Sequence, residues 1–573
     1  MPLCSSCGGN TFIPRVTGDK FQTSFQPEQV ASVRRNIELD LEDYEAEICR
    51  LLKEKECLER YAAQLQSLDS PFHKIPNEIL RQILDDSCDM NSFRAFDLKS
   101  RHPTPDAQAV RSKPAMVVSS VCSRWRQNAL STPVIWSRIS LYWEFQEDDN
   151  WDGQEGDSWE NEDTGIFALL SHFLDRSQRN PMTLNLDLVA NALTDESALH
   201  PLLKQFFGRI VHWQCLSFYC EDYGIGVLLD RAGIPSVSFP VLRKLRMLGS
   251  AFNRDLNRDL IPFINTAPNL QMLNLPGRFV ISRRNIENHN RIDIQDIFDR
   301  FPNLFSLGLT ESLLYGDVVA PTPIAYSSKL EILTVGHHDE WEDSYDSPNP
   351  VFPILRLPSL KVLHLVYDKP GSGPTDNHGV YFEDNLLDDS DDSDAEETRW
   401  SSWGPFRAFV LQSSFQLTTF SIQRLSISDV NLVEILVLLP TLQDFTVDDY
   451  GISPIRSPIS SEFVDSLHAH RTSPLLLHGA RIIPRLRSLR LLNLATLVFK
   501  DLSVVEMIQS RWSPAQLHTV GTSAFEVDCL RVFTMTFLYR SEVEASGVYR
   551  SLEPIEQNGM MVVIQMSGKT LWL

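Results

Sequence analysis

The skeleton Leu-x-x-Leu-x-Leu, often led in by x-Pro-x, recurs along the second half of the chain, and nothing else in the sequence constrains the fold as tightly. It reads FPVLRKLRML (Leu242, Leu245, Met247), APNLQMLNL (Leu270, Leu273, Leu275), FPNLFSLGL (Leu304, Leu307, Leu309) and SKLEILTV (Leu330, Leu333, Val335). It continues as LPSLKVLHL (Leu360, Leu363, Leu365), QLTTFSI (Leu417, Phe420, Ile422), LPTLQDFTV (Leu442, Phe445, Val447) and IPRLRSLRL (Leu486, Leu489, Leu491), with HWQCLSF (Trp213, Leu216, Phe218) as a degenerate first member. LVEILVLLP before Leu442 and IQDIFDRFP before Leu304 are short helical patterns that stop at a proline. Each unit is therefore expected to be a helix, a proline stop, and a short strand whose alternate apolar residues point inward. Such a unit cannot bury its apolar face alone, so neighbours are expected to stack into a curved solenoid. A conventional α/β domain is the alternative, and the near-constant period of nine segments weighs against it.

This pattern resembles the leucine-rich repeats. It departs from them where an asparagine usually follows the last leucine by three residues: Arg278, Ser312, His338, Asp368 and Tyr450 stand there. The resemblance implies an irregular α/β solenoid over 166–573, interrupted between Leu360 and Leu417 by an acidic insertion at about 369–400.

The net charge of −23 on 573 residues is mostly local. Residues 144–163 carry ten acids and no base, and residues 383–397 carry nine acids and no base. Such runs bury too little apolar surface to order themselves and read as solvated linkers or loop insertions, the first as a linker over 142–165. Without them the chain is close to neutral, so no basic face for nucleic acid is expected. No stretch approaches the ~20 apolar residues of a membrane span. Nine scattered cysteines make no disulfide framework, and MPLCSSCGGN lacks a signal-peptide layout. The expectation is a soluble cytoplasmic or nuclear protein with reduced thiols.

After a flexible tail over 1–26, residues 27–69 read as one long helix. Ile37, Tyr44, Leu51, Leu58 and Leu65 recur every seven residues, Leu41, Ile48 and Ala62 fill the offset positions, and Lys55 interrupts that seam. A narrow stripe over 30–69 asks for a partner helix, with self-association as one answer. A single amphipathic helix folded back on the body is the other.

Between this helix and the repeats stand HKIPNEILRQIL and, about thirty residues on, VSSVCSRWRQNALSTPVIW. Pro76 suits a helix start, where its missing N–H costs nothing. Ile79, Leu80, Ile83 and Leu84 give an apolar face wider than one small helix needs for itself. Together, Ile75-Pro76, Glu78-Ile79-Leu80, Ile83-Leu84, Val121-Cys122, Trp125, Pro133 and Trp136 resemble the F-box, over about seventy residues. The resemblance implies a small helical domain over 70–141 that docks a Skp-type adaptor, which joins a cullin scaffold and a RING ubiquitin ligase. It places Ile75, Pro76, Ile79, Leu80, Ile83, Leu84, Val121, Cys122, Trp125 and Trp136 at or beneath that contact. Residues 85–116 form an insertion where the family runs directly into its next helix; its polar residues and prolines suggest a surface excursion. A heptad segment before the box and degenerate repeats behind it resemble the F-box-like proteins common in mushroom-forming fungi.

No catalytic motif competes with this reading. Cys4 and Cys7 make half of a zinc knuckle, with no second pair to complete four ligands. His337-His338-Asp339-Glu340 are adjacent residues that rarely converge on one ion. The terminal Ser567-Gly-Lys-Thr570 lacks the first glycine and the following helix of a phosphate-binding loop. Ser393, among acids, suits an acidophilic kinase. The expected function is a non-catalytic receptor, without cofactor, that holds an adaptor through the F-box-like segment and an unknown protein substrate through the solenoid, acting by proximity. The alternatives are a plain interaction scaffold whose F-box no longer binds an adaptor, and an enzyme for which no residues can be nominated.

Overall fold

Alternating apolar residues three positions beyond an apolar anchor do become strands. A computed structural model of the chain describes residues 27–69, 74–96, 113–144, 164–189, 205–220, 238–248, 266–275, 294–311, 324–337, 351–367, 403–452, 456–471, 482–494, 499–512, 527–538, 547–566 and 569–571, with single residues 225, 228, 229, 233, 263 and 400. Several expectations lie outside them: the tail 1–26 with Cys4 and Cys7, most of both acidic runs, Ser393, His338 to Glu340, and Ser567-Gly568. The chain divides into two units, Met1–Leu80 and Arg81–Leu573.

The first unit holds helix α1, Pro27–Asp69. Every described side chain of α1 is exposed, including the whole heptad stripe. Ion pairs one turn apart lace its surface: Arg34–Glu38, Arg50 with both Glu47 and Glu54, Lys55–Glu59 and Arg60–Glu56. Helix α2, Asn77–Ser87, begins here and runs across the boundary.

The second unit is α/β, built on one long sheet. Its strands are β1 (Asn91–Phe96), β2 (Arg138–Glu144), β3 (Met182–Val189), β4 (Trp213–Cys220), β5 (Lys244–Leu248), β6 (Met272–Asn274) and β7 (Ser306–Glu311). Then come β8 (Ala325–Tyr326), β9 (Ile332–His337), β10 (Leu355–Arg356), β11 (Val362–Tyr367), β12 (Thr419–Gln423) and β13 (Asp444–Asp448). The last are β14 (Ser488–Leu494), β15 (Val532–Phe537), β16 (Met561–Met566) and β17 (Lys569–Leu571). Strands β8 and β10 form a separate parallel pair; the other fifteen follow one another in chain order. All neighbours are parallel except β16 and β17.

Register explains the repeat. The second leucine of every skeleton segment pairs with its counterpart next door: Leu216, Leu245, Leu273, Leu307, Leu333, Leu363, Phe420, Phe445 and Leu489 form one unbroken buried column. The third residue starts a parallel column through Phe218 and Met247 and continues it through Leu309, Val335, Leu365, Ile422, Val447 and Leu491. A slip of one residue would turn a whole strand inside out, so each fully buried Leu or Phe, worth ~1.5–3 kcal/mol, also fixes alignment.

The residue after each anchor donates its N–H to the same position one strand earlier, as in Gln271 to Arg243 (2.8 Å), Glu331 to Phe305 (2.8 Å), Lys361 to Glu331 (2.8 Å) and Arg531 to Arg487 (2.8 Å). Side chains reinforce these turns: Asn269 Nδ2 donates to the Pro240 carbonyl (2.7 Å) and Asn303 Nδ2 to the Pro268 carbonyl (3.1 Å).

Helices pack over the inward face. Among them are α3 (Pro114–Ser120), α4 (Ser123–Leu130), α5 (Thr164–Ser177), α6 (Ile294–Arg300), α7 (Trp403–Ser413) and α8 (Asp429–Val437). Further on lie α9 (Ser461–Ser466), α10 (Asp501–Trp512) and α11 (Glu553–Gln557). Both expected helix-before-proline patterns form, α6 ending ahead of Pro302 and α8 ahead of Pro440. Serine caps open α8 and α9: Asn431 N–H donates to Ser428 Oγ (3.2 Å), and Phe463 N–H to Ser460 Oγ (3.0 Å). Ring contacts such as Phe406 to Phe420 (6.2 Å) and Phe445 to Phe463 (6.4 Å) join helices to the columns.

Two expectations are corrected. Residues 70–141 are not purely helical, because β1 and β2 continue the sheet: Ile139 and Leu141 extend the two columns, with Trp136 as their anchor. Nor is all of 85–116 a surface excursion. Helix α2 runs on to Ser87, and Cys88, Asn91 and Phe93 take anchor and column positions, fully buried. The columns also run past Leu491, through Phe533 and Met535 to Val562 and Ile564.

Candidate docking surface

The F-box-like residues divide by burial. On α2, Leu80 and Leu84 are 2% and 0% exposed, whereas Ile79 and Ile83 are 48% and 36% exposed. Two pairs spaced four apart thus lie on two sides of one helix. Pro76 is exposed and its carbonyl accepts from Leu80 N–H (3.0 Å), starting the helix; Ile75 is half-buried. Val117 and Val121 are exposed, Val121 at 59%, in and just after α3. Cys122 is exposed and caps α4, its Sγ accepting from Trp125 N–H (3.5 Å); Trp125 is half-buried. Trp136 is fully buried. Of the residues expected at or beneath an adaptor contact, Leu80, Leu84 and Trp136 are thus buried beneath the surface rather than on it.

Buried polar groups hold this region in place. Asn91 Nδ2 donates to the carbonyls of Ile135 and Arg138 (2.9 Å each), and its Oδ1 accepts from Ala115 N–H (3.1 Å). One amide thereby joins β1, α3 and the 3-10 turn Pro133–Trp136. Arg138 donates to Asp85 Oδ1 (2.6 Å) and to the carbonyls of Asp85 and Cys88, tying the end of α2 to β2. Burial pushes the Cys88 thiol up to about 11, so it stays protonated and inert; burial pulls the Lys113 ammonium, 5.0 Å over the Phe93 ring, below its usual range. Sequence reasoning missed Asn91, since a lone asparagine ahead of a phenylalanine carries no periodic signal.

A second cluster lies at the C-terminal ends of β12 to β15. Arg424 and Asn493 both adopt φ near +56° there, and the Arg424 guanidinium stands 4.7 Å over the Tyr450 ring. Asp448 Oδ1 accepts from Asn493 Nδ2 (2.8 Å) and Tyr450 N–H (3.0 Å). Beside it Asp449 is buried, and that burial, reinforced by the Asp448 charge and opposed by the hydrogen bond from Ser457, pushes its carboxyl up to about 6. A carboxyl whose folded pKa is raised favours the fold when protonated. Its penalty is absent below the ordinary value near 3.8, grows as pH rises to about 6, and is complete above that. Asp449→Asn is expected to stabilise the protein by about 1–3 kcal/mol at pH 7 and to remove this slope between pH 4 and 6, as urea titrations at several pH values would show. Equal stability of both forms at pH 7 would contradict it.

The outward face of the sheet is mostly small and polar along its middle, with Asn274, Gly308, Thr334, His364, Ser421 and Thr446 in successive register. Asn274 lies against Gly308 so closely that a Cβ there would stand 2.5 Å from its Oδ1. Burial lowers the His364 pKa, favouring the neutral imidazole. Lys244 and Arg246 of β5 are exposed at one end. Among the described residues no three His, Cys, Asp or Glu side chains come together as a metal site requires, and no helix is long and apolar enough to cross a membrane. Comparison with known proteins finds no family model and no curated protein that matches the chain.

Proposed function

We propose that the chain is a substrate receptor of a Skp-cullin-type ubiquitin ligase, docking the adaptor through an F-box-like segment and a protein target through a leucine-rich-repeat-like solenoid. The split of α2 into a buried pair, Leu80 and Leu84, and an exposed pair, Ile79 and Ile83, carries this reading. An exposed isoleucine pair one turn apart offers apolar area for a partner to cover, and burying the remaining exposed part of each would contribute about 1 kcal/mol. Val117 and Val121 are further exposed apolar groups for the same role. The chain-ordered sheet supports the solenoid reading, and its long outward face suits a broad protein contact without chemistry from the chain itself. Such a receptor would work in the cytoplasm or nucleus.

The test is capture of the purified adaptor by the full chain, with Ile79→Asp, Ile83→Asp as the comparison. Both positions face water, so thermal stability is expected to hold while adaptor affinity falls at least about 100-fold. If the unaltered chain fails to bind, the receptor reading is lost and an interaction scaffold remains.

A further inference from the structure

Helix α1 presents an exposed apolar seam, and the charges beside that seam specify its occupant. The seam combines Leu41, Ile48, Lys55 and Ala62 at one heptad position with Ile37, Tyr44, Leu51, Leu58 and Leu65 at the other; all are exposed. The positions immediately flanking the seam carry Glu38, Asp40, Glu45, Glu47, Glu54 and Glu59, with no base among the flanking residues from 37 to 66. These are the positions that meet a partner's flanks and choose it. Two copies of α1 side by side would set acid against acid on both edges, in either direction of pairing. In the parallel, in-register arrangement they would also set Lys55 against Lys55 within the seam.

The bases of α1 do not remove this repulsion. Arg50, Lys53 and Arg60 lie on the outer face, and the ion pairs of Arg34 with Glu38, Arg50 with Glu47 and Glu54, and Lys55 with Glu59 join exposed side chains, pairs too weak to hold these acids from a partner's bases. An apolar heptad stripe exposed along several turns favours a partner helix, and like charge on its flanks disfavours a second copy as that partner.

We infer that α1 pairs with a different helix, one with an apolar heptad seam, lysine or arginine on both flanks, and an acidic residue opposite Lys55. This pairing is independent of the adaptor surface and stands or falls separately from it.

The experiment uses the full chain and three labelled synthetic peptides of matching length. One has a leucine seam with lysine flanks and a glutamate opposite Lys55, one carries glutamate flanks on the same seam, and one is the lysine peptide scrambled out of heptad order. Fluorescence anisotropy is expected to show the lysine-flanked peptide bound at least about tenfold more tightly than either control, with that advantage lost in Leu51→Asp, Leu58→Asp. Sedimentation of the chain alone at neutral pH is expected to show a monomer. Equal binding of the scrambled peptide, or binding that survives the double substitution, would reduce the effect to attraction between an acidic protein and cations and overturn the inference. So would failure to bind the lysine-flanked peptide, or a dimer of the chain that Leu51→Asp, Leu58→Asp dissolves, since the seam would then belong to a second copy.

Discussion

Arg511→Ala is expected to destabilise the C-terminal part of the sheet by about 3–5 kcal/mol. Arg511 lies in the last turn of α10 and is completely buried; burial lowers its pKa to about 10, so it remains a cation at neutral pH. Its guanidinium donates to three carbonyls: Leu467 at the end of α9, Ile482 (2.8 Å) and Ile483 (3.1 Å). Its own carbonyl accepts from Leu530 N–H (3.0 Å), the anchor residue of β15. The side chain thus fastens α10 to the end of α9 and to the turn before β14, joining two successive units of the sheet. Ile483 is held at φ +41°, a conformation that a β-branched residue adopts only under constraint, and the bond to its carbonyl supplies part of it. Alanine leaves the Leu467 and Ile482 carbonyls without this donor, leaves Ile483 with only the Leu486 N–H (3.3 Å), and opens a cavity besides. Relief from burying a charge offsets part of this cost, but not the orphaned carbonyls. Lysine keeps the charge and loses the planar fork, so Arg511→Lys is expected to recover about half the loss. Because each strand leans chiefly on its neighbours, hydrogen exchange should quicken in β13 to β16 and stay unchanged in β4 to β9. Uniform exchange across the sheet, or an unaltered urea midpoint, would refute this role.

Nothing in the sequence singles out Arg511, which reads as an ordinary base in a helix's last turn, favourable to the dipole and facing water. What was legible follows from period. Two inward residues spaced by two, with an anchor three before them, can satisfy only one register, so nine segments declared nine strands. The ends of the sheet were hidden by residues that occupy the same positions without looking apolar or regular. Asn91 replaces a leucine in β1, Gly559 stands where an anchor would precede β16, and β3 shifts register at Met182. On α2 the sequence shows four apolar residues of equal standing; only packing separates Leu80 and Leu84 from Ile79 and Ile83.

Trp136→Ala is the second substitution expected to cost about 3–5 kcal/mol, and it separates fold from contact in the F-box-like segment. Trp136 is fully buried, with Phe173 edge-on at 4.9 Å and the Arg176 guanidinium 4.5 Å over its ring, both from α5. Its Nε1–H donates to the Ala129 carbonyl (2.9 Å) at the end of α4. It precedes Ile139 and Leu141 as Trp213 precedes Leu216 and Phe218, so one residue closes the helical segment and anchors the sheet's second strand. Trp136→Phe keeps most of the ring area and loses the hydrogen bond, an expected cost of about 1–2 kcal/mol. In the proposed receptor, Trp136→Ala should therefore weaken adaptor capture only by melting its support, in proportion to lost thermal stability, whereas Ile79→Asp, Ile83→Asp should lower affinity at least about 100-fold with stability intact. If Trp136→Phe lost adaptor affinity while its melting temperature held, the tryptophan would have to reach the partner directly, and the buried position assigned to it here would be wrong.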